Sequence, residues 1–195
     1  MNSQLNSDYW NQRWTEGKTG WDIGSPSTPL IEYFDQLKDK NLRILIPGAG
    51  NAWEAEYLHN KGFRQVYVVD IADEAISRFS QRVPSFNKDH IIKADFFELE
   101  GQYDLIVEQT FFCAITPAER RKYVLKAWSL LDENGKIVGV LFNDQFSHDG
   151  PPFGGTKEEY MTYFQPWFRA RYFETAYNSI KPRAGRELFI NLIKR

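Results

Sequence analysis

A chain of 195 residues is long enough for one α/β domain with a substantial core and too short for two domains of ordinary size. Its 42% hydrophobic and 26% charged residues are the balance of a globular protein, not of a disordered or fibrous one. With 24 basic against 26 acidic side chains, a net charge of −2 and no Lys/Arg block that could follow a phosphate backbone, nucleic acid is not an expected partner.

In chain order, Asp8 caps a short helix carrying Tyr9, Trp10, Arg13 and Trp14, and Gly17-Lys18-Thr19-Gly20 ends it. Ser25-Pro26-Ser27-Thr28-Pro29 opens a second helix whose Leu30, Ile31, Phe34 and Leu37 recur at helical spacing. The apolar run Leu42 to Ile46 leads into Pro47-Gly48-Ala49-Gly50, and Val66 to Ile71 repeats the plan after a helical stretch beginning near Ala52. This is a βαβ unit. A helix near Asp73 to Val83, a strand at His90 to Lys93 and another at Asp104 to Glu108 continue it, with strands that read as buried and parallel. Pro117 starts a long amphipathic helix with Tyr123, Val124, Ala127, Leu130 and Leu131 inward, closed by Asn134-Gly135 before the strand Lys136 to Phe142. The tail reads as an antiparallel hairpin, Trp167 to Tyr177 against Glu187 to Ile193. Residues 1–195 thus form one α/β domain, an N-terminal helical flap (about 8–40) preceding the sheet. Ligands of such sheets bind beyond the strands' carboxyl ends, where the turns at 47–51, 70–72, 95–96 and 108–113 converge.

The single cysteine, Cys113, cannot form an internal disulfide, and it reads as a small buried residue within Phe111-Phe112-Cys113-Ala114. The N-terminus resembles neither a signal nor a transit peptide, and no apolar run reaches the roughly 20 residues that cross a bilayer. A cytoplasmic protein with no membrane partner is expected, and a monomer, since no exposed apolar stripe stands out. His59, His90 and His148 have no metal-ligand spacing with one another or with Cys113, so no metal is expected.

Gly48 and Gly50 form a turn that lets backbone approach a ligand closely. Asp70 ends the second strand 20 residues after Gly50, where an acidic residue takes ribose hydroxyls, Ile71 following it; helix capping, its bland alternative, falls to Asp73 instead. Asp95 could accept a hydrogen bond from an adenine amino group, with Phe96 covering the ring; a loop-capping role for Asp95 is the alternative. The fingerprint of nicotinamide dinucleotides takes a third glycine where this chain has Trp53, which weighs against an oxidoreductase. Trp10, Trp14 and Trp21 are half of the chain's six tryptophans and either staple the flap to the sheet or line a ligand site.

The spacing of those three tryptophans, Gly20-Trp21-Asp22-Ile23-Gly24, Ile46-Pro47-Gly48-Ala49-Gly50 and Phe111-Phe112-Cys113-Ala114-Ile115-Thr116-Pro117 together resemble the thiopurine methyltransferase superfamily, and within it most of all the halide and thiol methyltransferases. The resemblance runs from about Tyr9 to the end. It implies a class I methyltransferase-like Rossmann sheet of seven strands, the last antiparallel, with helices on both faces, and S-adenosylmethionine as cofactor. It further implies that Trp10, Trp14 and Trp21 line the cofactor site with Gly48 and Gly50, that Asp70 and Ile71 hold the ribose, and that Asp95 and Phe96 hold the adenine. Gln109 stands at the same site where the resembled enzymes carry a tyrosine. The stretch Asn143 to Gly155, with Asp144, His148, Asp149 and Gly150-Pro151-Pro152, resembles the family's acceptor loop.

The activity implied is in-line transfer of the sulfonium methyl to a small-molecule acceptor, a thiol, hydrosulfide or halide, with a thiopurine as the alternative within the class. A non-enzymatic S-adenosylmethionine-binding protein and an NAD-dependent oxidoreductase are the readings from other classes. Alignment and exclusion of water do most of what such a transfer needs, so catalytic side chains are expected to be sparse. Candidates to favour a thiolate are His148, Arg183 and Arg186.

Overall fold

A computed structural model describes residues 5–195. The apolar runs become seven strands: β1 (Ile44–Pro47), β2 (Val66–Asp70), β3 (Ile91–Lys93), β4 (Tyr103–Gln109), β5 (Leu131–Phe142), β6 (Phe168–Thr175) and β7 (Glu187–Lys194). They form one sheet in the order β3-β2-β1-β4-β5-β7-β6. The first five run parallel, with Ile46 beside Val68 and Leu45 beside Ile106, while β7 inserts antiparallel to both β5 and β6. The closing hairpin and the antiparallel last strand are as expected.

Among the described residues six α-helices accompany the strands: α1 (Ser7–Thr15), α2 (Thr28–Asp35), α3 (Trp53–Asn60), α4 (Asp73–Arg82), α5 (Arg120–Leu130) and α6 (Lys157–Phe164). Alternate residues of each inner strand enter opposite cores. Leu45 and Ile106 pack with Tyr123, Val124, Ala127, Tyr160 and Phe164 of α5 and α6. Ile44 and Ile46 pack with Leu30, Phe34, Ala55, Leu58 and Phe79 of α2, α3 and α4. Period-2 side chains on strands covered from both sides require this division, and it explains why these strands read as continuous apolar runs.

Several boundaries differ from the sequence reading. Asn6, not Asp8, caps α1, its side chain accepting the Tyr9 N–H at 3.0 Å; three adjacent cap-forming residues compete there, and Asp8 falls inside the first turn. Ala72 precedes α4, so Asp73 lies in the first turn and pairs with Lys93 instead of capping. Strand β5 begins at Leu131, where a helix end was expected, its pairing with β4 shifting between Tyr103 and Leu105. Helix α6 forms between the Gly-Pro-Pro loop and β6, where the sequence reading named no element; Thr156 caps it, accepting from the Glu159 N–H at 3.2 Å.

The chain leaves β1 outward to β2 and β3 and returns to β4 on the other side of β1. The turns after β1 and β4 therefore diverge and leave a crevice at the carboxyl ends of the strands.

Candidate active site

The crevice is a cavity of about 870 Å3, counting its open mouth, and it is lined by Trp10, Trp14, Trp21, Gly48, Gly50, Asp70, Ile71 and Phe96 among others. The turn after β1 forms one wall. Gly48 and Gly50 both take left-handed backbone, at φ +56° and +55°. A Cβ at Gly48 would run into the ring of Phe111, so only glycine lets the turn after β1 pass the turn after β4. Gly50 faces the indole of Trp14, 3.3 Å from where its Cβ would stand.

The 20-residue interval from Gly50 to Asp70 turns out to be a direct contact. Asp70 Oδ2 accepts the Gly50 N–H at 2.8 Å, and its Oδ1 accepts the Ala72 N–H at 2.9 Å. Burial raises its pKa, and the backbone N–H groups oppose that rise. Each carboxylate oxygen keeps acceptor capacity beyond those two bonds.

The flap forms the opposite wall. Trp21 meets Trp10 and Trp14 edge-on, with centroids 5.5 and 5.8 Å apart. Trp14 is also buried against Ala72 and Ala75, so stapling and lining are one arrangement. Ser7 Oγ donates to the carbonyl of Ile71 at 2.9 Å, fixing α1 to the turn after β2. At the other end Arg183, buried in the β6–β7 connection, donates to the Trp21 carbonyl at 2.6 Å and pairs with buried Glu187 at 3.2 Å.

The turn after β4 supplies the floor. Glu108 accepts the N–H groups of Phe111 and Phe112 at 2.9 and 2.8 Å and the hydroxyl of Tyr123 at 2.7 Å. Full burial pushes its pKa up to about 7 against these three donors. Cys113 lines the cavity, and burial, with the charge of Glu108 adding to it, raises its thiol to about 12; it is no nucleophile at neutral pH. Pro151 and Pro152 close the same end.

Similarity to known proteins bears on this site. The family model of thiopurine S-methyltransferase (TPMT) matches residues 5–190. The chain belongs to the thiopurine S-methyltransferase family. A probable thiol methyltransferase 2 of Arabidopsis thaliana is 29% identical over 95% of this chain and 84% of its own length. A thiopurine S-methyltransferase of Acinetobacter baylyi is 27% identical, covering 80% of this chain and 82% of that protein. A thiocyanate methyltransferase 1 of Brassica oleracea is 28% identical, covering 91% and 81%. In fold, the chain is similar to the 1,6-didemethyltoxoflavin-N1-methyltransferase of Burkholderia thailandensis, seen with bound S-adenosylhomocysteine (TM-score 0.78, 16% identity, 98% of this chain and 88% of that one). It is likewise similar to the magnesium protoporphyrin IX methyltransferase of Synechocystis, seen with bound S-adenosylmethionine (TM-score 0.75, 12% identity, 97% and 95%). This family member is an S-adenosylmethionine-dependent methyltransferase.

Of the ten residues that the resemblance places at the cofactor site, eight meet at the cavity: the three tryptophans, Gly48, Gly50, Asp70, Ile71 and Phe96. Gln109 lines an adjoining recess with Trp21, Asp22, Gly48, Gly50 and Trp53. Its Oε1 is buried without a hydrogen-bond partner among the described residues. Asp95 is not brought to the lining; its Oδ1 caps the turn Phe96–Glu98 by accepting the Phe97 N–H at 2.9 Å. Nor are His148 and Arg186. His148 is exposed and stacks on Phe146, while Arg186 pairs with Asp144. Glu108, Arg120 and Arg183 shape the site through contacts that link distant segments.

Proposed function

We propose that the enzyme transfers its methyl group to a small soft nucleophile, a thiol, hydrosulfide or halide, in the cavity between the tryptophan flap and the Pro151-Pro152 loop. One observation carries the reading: three indoles, two left-handed glycines and the partly buried carboxylate of Asp70 face a single cavity whose described lining holds no Lys, Arg or His. When bound, S-adenosylmethionine supplies a methyl group already activated by its cationic sulfur. The indoles of Trp10, Trp14 and Trp21 attract a cation and keep water out. Asp70 offers its remaining lone pairs to the ribose hydroxyls, beside Ile71, and the lack of a Cβ at Gly48 and Gly50 lets the methionine end approach the backbone. The orphaned Gln109 Oε1 suits a donor such as an α-ammonium group, and Phe96 gives the adenine a wall whose turn Asp95 caps.

The lining holds no Lys, Arg or His among the described residues, so these residues contribute chiefly alignment and dryness, and the carboxylates of Asp70 and Glu119 are the lining groups able to take a proton from an acceptor. The test is turnover with S-adenosylmethionine and hydrosulfide, iodide, thiocyanate and a thiopurine in parallel, read as S-adenosylhomocysteine formed. Methylation of a small acceptor is expected; no turnover with any of the four contradicts the proposal. The 27% identity with the Acinetobacter baylyi thiopurine S-methyltransferase supports a second reading, an aromatic thiol, which a marked preference for the thiopurine would select. A cytoplasmic monomer is the accompanying proposal. No helix among the described residues is long and apolar enough to cross a membrane.

A further inference from the structure

Arg120 opens α5 in the basic run Arg120-Arg121-Lys122, yet its side chain is only 1% exposed. Its guanidinium lies 5.1 Å from the ring centre of Phe112 and 5.2 Å from that of Tyr160. Nη1 donates to Glu159 Oε1 of α6 at 2.8 Å, and Nη2 donates to the carbonyls of Phe153 and Gly154 at 3.1 and 2.8 Å. Nε is buried without a partner among the described residues. A cation taken out of water with one donor unused is costly, so its remaining contacts must be strong enough to hold it there.

What those contacts hold is the loop that closes the cavity. Phe153 and Gly154 directly follow Pro151 and Pro152, both of which line it. The far side of the loop is tied by the Phe153 N–H to the Cys113 carbonyl at 2.6 Å and by the Gly155 N–H to the Asp144 carbonyl at 2.8 Å. Glycines are required there, since a Cβ at Gly154 would strike the Asp144 carbonyl and one at Gly155 would stand 2.6 Å from the Tyr160 ring. The arginine thus joins the start of α5, the start of α6 and the loop from behind the cavity wall. The proposed ribose and methionine contacts sit at the ends of β1, β2 and β4 and on the flap, and Arg120 hydrogen-bonds to none of them: its donors go to Glu159, Phe153 and Gly154.

Resting on the reading of this cavity as the site of methyl transfer, we propose that Arg120 is a positioning residue for the acceptor: it holds Pro151 and Pro152 in place and so sets how tightly the acceptor is bound, without acting on the cofactor. A loop held at both edges spends no binding energy on ordering itself when the acceptor enters.

The variants are Arg120→Met, Arg120→Lys and Glu159→Gln, measured for acceptor KM and kcat with the best acceptor, for S-adenosylhomocysteine Kd and for amide exchange. Arg120→Met should raise acceptor KM about tenfold or more, leave the Kd within about twofold, and speed exchange at Phe153 and Gly155 but not in β1. Arg120→Lys should fall between wild type and Met. Glu159→Gln keeps both carbonyl contacts and should raise KM less. If Arg120→Met does not fold, the other two carry the same comparison of KM against Kd. An acceptor KM within about twofold of wild type, or a Kd that weakens in step with KM, overturns the proposal. Failure of the underlying reading looks different: wild type itself would methylate no acceptor.

Discussion

The indole N–H of Trp53 donates to Asp22 Oδ1 at 2.8 Å, tying the first residue of α3 to the flap. The other oxygen of Asp22 takes the side-chain amide of Asn51, and the Arg82 guanidinium lies 3.9 Å above the Trp53 ring. Five residues further along, the Ser27 N–H donates to buried Glu54 at 2.8 Å. Position 53 is where a dinucleotide-binding turn takes glycine for close helix–strand packing; here a large side chain reaches outward and fastens the segment that carries Trp21.

Trp53→Phe keeps a ring for Arg82 and removes the donor together with part of the indole. It should cost about 1 to 2 kcal/mol of stability, because Asp22 loses a partner, and weaken S-adenosylhomocysteine binding by roughly three- to tenfold as the flap loosens. Urea denaturation and calorimetry on the same preparation check both.

Arg183 and Glu187 form a second fastening whose two roles can be separated. Arg183→Met alone should destabilise by about 3 kcal/mol or more, since it strands a buried carboxylate. Adding Glu187→Leu should restore most of that stability. Cofactor affinity should stay reduced in the double variant, because the bond to the Trp21 carbonyl is still missing. Equal recovery of stability and affinity would show that the arginine acts on the fold alone.

Legibility in the sequence followed burial. The inner strands could be read because a sheet covered on both faces requires unbroken apolar runs, as in Ile44 to Ile46 and Val66 to Val69. Asp70 could be read from its distance to Gly50, since the two are joined by a hydrogen bond that fixes the interval. Arg120 could not: in a run of three basic residues it looks like solvent-facing charge, and only Phe112, Glu159 and Tyr160, brought from elsewhere in the chain, explain its burial. Glu108 likewise read as a strand end until its three donors were in place. Helix α6 escaped notice because Lys157–Phe164 mixes charged and aromatic residues without a clear apolar stripe. His148 and Arg186 drew attention as loop side chains that could favour a thiolate, but they are occupied around Phe146.

Glu108 gives stability a pH dependence. Its folded pKa of about 7 lies above the ordinary 4.5, so burial favours the protonated form. The stability this contributes is complete below about pH 4.5 and is lost as pH rises through about 7. The gap corresponds to roughly 3 kcal/mol. Glu108→Gln, whose amide can accept from the Phe111 and Phe112 N–H groups and donate to the Tyr123 oxygen, should remove most of that slope and be the more stable protein at pH 8. Denaturation midpoints between pH 5 and 8 decide it; parallel profiles for the two proteins would contradict the assignment.

The central claim is that the cavity between the indoles and Asp70 holds S-adenosylmethionine, and calorimetric titration of wild type and Asp70→Ala with S-adenosylhomocysteine, and separately with NADH, tests it most directly. The account predicts S-adenosylhomocysteine binding by wild type, about a hundredfold weaker in a still-folded Asp70→Ala, and no binding of NADH. Undiminished binding by the variant, or a preference of wild type for NADH, would contradict it.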